Sequence, residues 1–216
     1  MHFISKYCNL VSYSNALKLM EEKITDAVQQ KICFVFGLEH ETIYTSGLKT
    51  LPEHIIGDIV YVKSRRGGSI TVHNPGQLVL YTVLPLASIG GNLEKYIRVL
   101  EKAIIKTLSV YGIKSFQNNE HTGVWTDKGK IAFIGIGAKK GAVYHGAAIN
   151  VNNNLDAYIP IRSCGLDLPI TRMKNEIHPE KYALVLQEIF QEWLDHFIFF
   201  FQKDFQNILI QTLTRS

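Results

Sequence analysis

Residues 65–85, Arg-Arg-Gly-Gly-Ser-Ile-Thr-Val-His-Asn-Pro-Gly-Gln-Leu-Val-Leu-Tyr-Thr-Val-Leu-Pro, constrain this chain more than any other stretch. A short alternating segment ends at His73. Asn74-Pro75-Gly76 follows and is turn chemistry, because proline presets φ and glycine accepts φ > 0. Gln77 to Leu84 is then rich in β-branched and aromatic residues. The pattern predicts strand, tight turn, strand, the punctuation of a hairpin, with Gly67-Gly68 at its entrance. Glycines there let a ligand or another backbone come close. A histidine beside the turn is placed to touch whatever binds.

A chain of 216 residues is long enough for one domain with a sizeable core, and residues 1–216 read as a single domain without repeat, linker or low-complexity segment. The charge of +4 is mild, and no dense basic tract marks a nucleic-acid surface. The start, Met1-His2-Phe3-Ile4-Ser5-Lys6, lacks the charged and apolar regions of a signal peptide. No apolar run approaches membrane-spanning length. Cys8, Cys33 and Cys164 are odd in number and widely spaced, so they suggest neither a disulfide framework nor a zinc site. The expectation is a reducing, cytoplasmic setting, with no metal and no cofactor.

Hydrophobic spacing outlines the elements. Phe3 to Val11 reads as an edge strand. Leu17, Met20, Ile24, Ala27 and Val28 recur at helical intervals between about Ser14 and Ile32. Ile32 to Phe36 is a buried strand, residues 37–47 a loop, and Ile59 to Lys63 another strand. Gly90-Gly91-Asn92 opens a second helix with the stripe Leu93, Tyr96, Ile97, Leu100, Ile104 and Leu108, and Gly112 caps it. His121 to Thr126, Lys130 to Gly137 and Ala142 to Val151 form a meander that Asn152-Asn153-Asn154 terminates. Asp156 to Pro169 is an irregular loop. Leu186, Ile189, Phe190, Trp193, Leu194, Phe197 and Phe201 return to helical spacing. The order is not a strict βαβ alternation. It indicates an α+β fold, a mixed or antiparallel sheet with helices packed on it and gathered on one side.

Three residue types carry candidate chemistry. Cys164 lies in a polar loop behind Arg162, the setting in which a thiolate becomes nucleophilic; the alternative is an inert loop thiol. Lys130 heads an apolar, glycine-broken strand, where partial desolvation suits it to stabilise a thiolate or polarise a carbonyl; the alternative is a solvated lysine after a turn. His73 and His145 can each hydrogen-bond a ligand or simply satisfy a structural need. Neither GxxxxGK[ST] nor a strand-to-helix GxGxxG is present, so no phosphate loop is legible.

Together these segments resemble one family. Arg66-Gly67-Gly68-Ser69-Ile70-Thr71-Val72-His73-Asn74-Pro75-Gly76-Gln77 resembles the RGGxxTxHGPGQ signature of lipoyl(octanoyl) transferases. Lys130-Ile131-Ala132 with Gly135 resembles their KIA-x-x-G segment. His145-Gly146-Ala147-Ala148-Ile149-Asn150-Val151 resembles HG-x-A-x-N-V, and Ser163-Cys164-Gly165-Leu166 resembles their PCG loop. Asn74 stands where the family has glycine, and asparagine tolerates the left-handed region. Ser163 stands in place of proline.

The resemblance implies a biotin/lipoate protein ligase-like fold. It implies transfer of an octanoyl group from acyl carrier protein to a lysine of lipoyl domains, those of 2-oxoacid dehydrogenase complexes and glycine cleavage proteins. The implied catalytic residues are Cys164, as an acyl-thioester nucleophile, and Lys130, which lowers its pKa. The implied substrate-binding residues are Arg66, Gly67, Gly68, Ser69, Ile70, Thr71, Val72, His73, Phe133, Ile134, Gly135, His145, Gly146, Ala147 and Ala148. Arg65, Lys139 and Lys140 would steer acidic protein substrates. The alternatives are an ATP-dependent lipoate or biotin protein ligase, an amidotransferase between protein lysines, and a non-catalytic acyl-binding module.

Overall fold

The computed structural model describes residues 1–163, 169–177 and 184–213. The strands are β1 (His2–Leu10), β2 (Ile32–Glu39), β3 (Ile43–Ser46), β4 (Tyr61–Lys63), β5 (Thr71–His73), β6 (Gln77–Pro85), β7 (Phe116–Gln117), β8 (Val124–Thr126), β9 (Gly129–Lys139) and β10 (Ala142–Asn150). The helices are α1 (Tyr13–Gln30), α2 (Leu93–Val110), the one-turn α3 (Met173–Glu176) and α4 (Leu186–Leu213). A seven-stranded sheet runs β1-β2-β6-β10-β9-β8-β7, and a three-stranded sheet runs β4-β3-β5. In the larger sheet β1 lies parallel to β2 and the remaining neighbours are antiparallel. The α+β class and mixed sheet are as the sequence pattern predicts.

Local chemistry sets the element ends. Ser12 caps α1 by accepting from the Asn15 N–H, and Lys31 closes it in the left-handed region at φ 56°. Asn92 caps α2 through the Lys95 N–H, and Gly112 follows its end at φ 72°. The segment read as a loop, 37–47, is instead mostly strand. Gly37-Leu38-Glu39 extends β2, and Ile43–Ser46 forms the centre of the small sheet.

All nine residues of β6 are buried, because both faces of the sheet are covered. Leu78, Leu80 and Leu84 face α2 and α4, whereas Val79, Tyr81 and Val83 face Ala16, Met20, Ile24 and Ala27 of α1. The helices are therefore not gathered on one side. A strand buried at every position needs cover on both faces.

β5 and β6 also depart from the hairpin pattern. They flank Asn74-Pro75-Gly76, yet β5 pairs with β3 and β6 pairs with β2 and β10. The turn is a corner that carries the chain between sheets. Gly76 makes it at φ 86°, where a Cβ would lie 2.1 Å from Asn152 Oδ1. Asn74 is not left-handed; it holds the corner with its side chain, donating to Asn154 O (2.8 Å) and accepting from Asn153 Nδ2 (3.0 Å).

The aromatic run of α4 is packing. Trp193, Phe197, Phe201 and Phe205 are fully buried, with Trp193 stacked on Phe197 at 4.9 Å and Phe3 edge-on to Phe197 and Phe201. Phe199 points outward, 57% exposed. Phe197→Ala is expected to cost about 3–5 kcal/mol in urea unfolding through lost burial and a residual cavity. Phe199→Ala should change stability by no more than about 0.5 kcal/mol.

Candidate active site

The corner leaves a narrow slot between the small sheet and β9–β10. It spans about 500 Å³ including its open mouth and is lined by Arg66, residues 68–71, His73, residues 133–135 and residues 145–148. Tyr13 and Tyr81 complete the wall. Thirteen of the fifteen residues assigned to substrate binding from sequence thus share one cavity. Val72 does not; it is fully buried with Ile70, Phe133, Tyr158 and Ile161. Gly67 lines a neighbouring cleft instead.

Arg66 builds the slot's rim. Its Nη1 donates to Ser69 O (2.8 Å) and Gly67 O (3.1 Å), and its Nη2 donates to Thr45 O (2.6 Å) and Thr45 Oγ1 (2.9 Å). The planar guanidinium staples the glycine loop to β3, a job its fixed fork of donors suits. The glycines serve close backbone packing as well as the cavity. A Cβ on Gly146 would lie 2.1 Å from Leu80 O, and one on Gly135 would lie 3.1 Å from Gly67 O.

Three histidines from β5, β10 and the residue after β2 are gathered here. His73 Nδ1 is 2.7 Å from Gln77 Oε1. Gln77 Nε2 faces Val72 O, Asn150 Oδ1 and Tyr158 OH, so Oε1 is the acceptor and His73 Nδ1 the donor. His40 Nδ1 donates to Val11 O (2.6 Å), and its Nε2 accepts from Tyr81 OH (3.0 Å). His145 sits in the left-handed region at φ 65° within a buried strand. A non-glycine residue there is strained, and such strain concentrates at functional sites. Its ring stacks on Tyr144 at 4.4 Å and meets Tyr81 edge-on.

Burial pushes the His73 and His145 pKa values down to about 3, aided at His73 by His40 and at His145 by Arg66. The slot therefore presents neutral imidazoles, small residues and aromatic faces, a lining suited to an uncharged chain.

Lys130 lies outside the slot, in the adjoining cleft of about 1270 Å³ that shares Gly68, Ser69, Ile134 and Gly135 with it. It is 3% exposed. Its Nζ donates to Thr122 O (2.7 Å) and lies over the rings of Phe133 (4.9 Å) and Trp125 (5.2 Å). It is not a solvated lysine. Cys164 lies outside the described residues. The residues to either side are tied to this cleft: Arg162 N–H donates to His54 O, and Lys130 N–H donates to Pro169 O, both at 2.8 Å. Cys33 is an inert core thiol whose pKa burial raises. Lys139 pairs with Glu21 of α1.

Sequence reasoning missed Tyr13, Tyr81, His40 and His54. His54 Nδ1 accepts from Leu51 N–H (3.1 Å) and lies 2.6 Å from Ser69 Oγ, at the wall common to slot and cleft. These residues carry no local signal, since each reaches the site through pairing distant in sequence.

The two slot histidines generate an acid sensitivity. The unfolded chain binds protons at them near pH 6.5, while the folded chain does so only near pH 3. Their stabilising contribution is complete above about pH 6.5 and is lost as pH falls toward 3. Urea unfolding should show stability dropping by about 1.4 kcal/mol per pH unit per histidine below pH 6.5. His145→Gln should flatten that slope.

Comparison with known proteins shows the family and the fold. The family model described as the lipoyl protein ligase A/B catalytic domain matches residues 12–198. An octanoyltransferase of Pelobacter propionicus is 38% identical over 160 residues, 73% of this chain and 76% of the relative. One of Rickettsia felis is 36% identical over 179 residues, 78% and 86% of the two chains. Among solved structures, a lipoate protein ligase from T. acidophilum with bound lipoic acid superimposes with a TM-score of 0.71 at 14% identity, over 94% of this chain and 86% of that one. Biotin protein ligase from Aquifex aeolicus reaches a TM-score of 0.53 at 13% identity, over 94% and 69%. The structural matches establish the shared fold, and the sequence relatives are acyltransferases. The chain belongs to the lipoyl protein ligase A/B catalytic domain family, among its octanoyltransferases.

Proposed function

We propose that this enzyme moves an octanoyl group from the thioester of an acyl carrier protein to a lysine of a lipoyl domain, by way of a thioester on Cys164. The observation that carries the reading is the buried Lys130 beside a slot lined largely by small and aromatic residues. The slot suits the acyl chain. The cation stands where charge develops at the reacting end.

In the first step the Cys164 thiolate attacks the octanoyl carbonyl. A new C–S bond forms, the bond to the carrier sulfur breaks, and the carrier thiolate leaves and takes a proton. In the second step the neutral amine of the acceptor lysine attacks the enzyme thioester. An amide C–N bond forms, the amine gives up a proton, and the Cys164 thiolate departs. A covalent intermediate divides one transfer between two large protein substrates into two simpler ones. Exchange of thioesters is nearly isoenergetic and amide formation from a thioester is downhill, so neither step calls for a nucleotide. Lys130 supports both steps by charge, favouring the thiolate and the anionic tetrahedral intermediates.

Three features support this reading. The relatives bear the octanoyltransferase name. The residues flanking Cys164 are anchored at the cleft that holds Lys130. Gly68, Ser69, Ile134 and Gly135 line both slot and cleft, so the two compartments adjoin.

The test is an intact-mass spectrum after mixing the protein with octanoyl-acyl carrier protein, beside Cys164→Ala. The expected result is a hydroxylamine-sensitive octanoyl adduct on the parent that the variant lacks, and that a lipoyl domain discharges. Absence of the adduct, with activity that requires free octanoate and ATP, would overturn the reading in favour of a ligase. Lys130→Ala should slow adduct formation on the order of a hundredfold, as loss of one preorganised electrostatic donor does.

A further inference from the structure

One peptide unit lies between two buried charged side chains. Glu101, on α2, is fully buried, and its Oε1 accepts from the Gly123 N–H at 2.8 Å. The carbonyl of that same peptide, Thr122 O, accepts from Lys130 Nζ at 2.7 Å. The other carboxylate oxygen, Oε2, takes Arg98 Nη1 at 2.7 Å. The order across the loop is carboxylate, amide N–H, amide C=O, ammonium. An amide placed this way has its dipole aligned with both charges, and each hydrogen bond polarises the other.

The fit admits only glycine at the bridging position. Gly123 has φ 126°, and a Cβ there would lie 2.6 Å from Lys130 Cε and 2.5 Å from Ala132 O. A turn of this shape, with a buried carboxylate beneath it, is costly to maintain. Packing of α2 alone does not require a carboxylate at this depth, since an apolar side chain of similar volume would fill the space.

We infer that Glu101 is a positioning residue for Lys130. Its carboxylate orients the Thr122–Gly123 peptide, and that carbonyl holds the lysine ammonium at the acyl cleft. The consequence for catalysis rests on the proposed role of Lys130, whereas the positioning itself is separately measurable.

The experiment is trace acetylation of the folded enzyme with acetic anhydride. Peptide mass mapping reads Lys130 against the exposed Lys18, and circular dichroism confirms folding at the working temperature. In Glu101→Ala the Thr122–Gly123 peptide loses its charge-assisted hydrogen bond, and Lys130 should label at least about fivefold faster. Glu101→Gln keeps an acceptor oxygen for Gly123 N–H and should label within about twofold of the parent. If Glu101→Ala fails to fold, Glu101→Asp carries the same expectation, because its carboxylate is withdrawn by one methylene. Octanoyl transfer by Glu101→Ala should show kcat lower by about tenfold with KM nearly unchanged, and Glu101→Gln should recover most of it. A folded Ala or Asp variant whose Lys130 labels at the parental rate overturns the inference. Faster labelling with unchanged transfer would uphold the positioning and instead overturn the role proposed for Lys130.

Discussion

Burial of β6 on both faces is the constraint on which the rest of the molecule depends. A nine-residue strand with no exposed position cannot sit at a surface or an edge, so helices must cover it from above and below. α1 takes one face, and α2 with the aromatic ridge of α4 takes the other. With both faces filled, the chain can leave β6 only at its ends. At the N-terminal end it turns through Gly76 into a second sheet. The slot is the gap between that second sheet and the strands β9 and β10 that continue the first.

The site separates two kinds of environment that would interfere if merged. In the slot, burial keeps His73 and His145 neutral, and Arg66 spends its donors on Thr45, Gly67 and Ser69. In the next compartment Lys130 is lodged over two aromatic rings with its Nζ against a carbonyl. The two compartments share Gly68, Ser69, Ile134 and Gly135 in their walls.

Rigidity of this arrangement comes from groups outside the cavity. Gln77 links His73 to Asn150 and Tyr158 through its amide, and Thr82 joins His145 O to Tyr96 of α2. Glu101 performs the corresponding service for the turn beneath Lys130. Each network ties a site residue to a strand or helix with a packed core behind it. Sites held by such supports keep their geometry without depending on the ligand.

The sequence by itself determined what is local or carried by a contiguous motif. Helical spacing located α1, α2 and α4, turn chemistry located the corner at Gly76, and the glycine- and histidine-bearing segments marked the slot's lining. Those signals are short-range, because dihedral preferences and side-chain periodicity act over a few residues. Only the tertiary structure decided that β5 and β6 belong to different sheets, that α1 lies opposite α2 and α4, and that residues 43–46 form a strand rather than a loop. Strand partners are chosen by which surfaces can be buried together, and a turn tripeptide is equally compatible with a hairpin and with a corner. The structure likewise decided that Val72 packs away from the slot, that Tyr13 and Tyr81 enter it, and that one peptide links Glu101 to Lys130. These are contacts between residues far apart in the chain, and no spacing in the sequence encodes them.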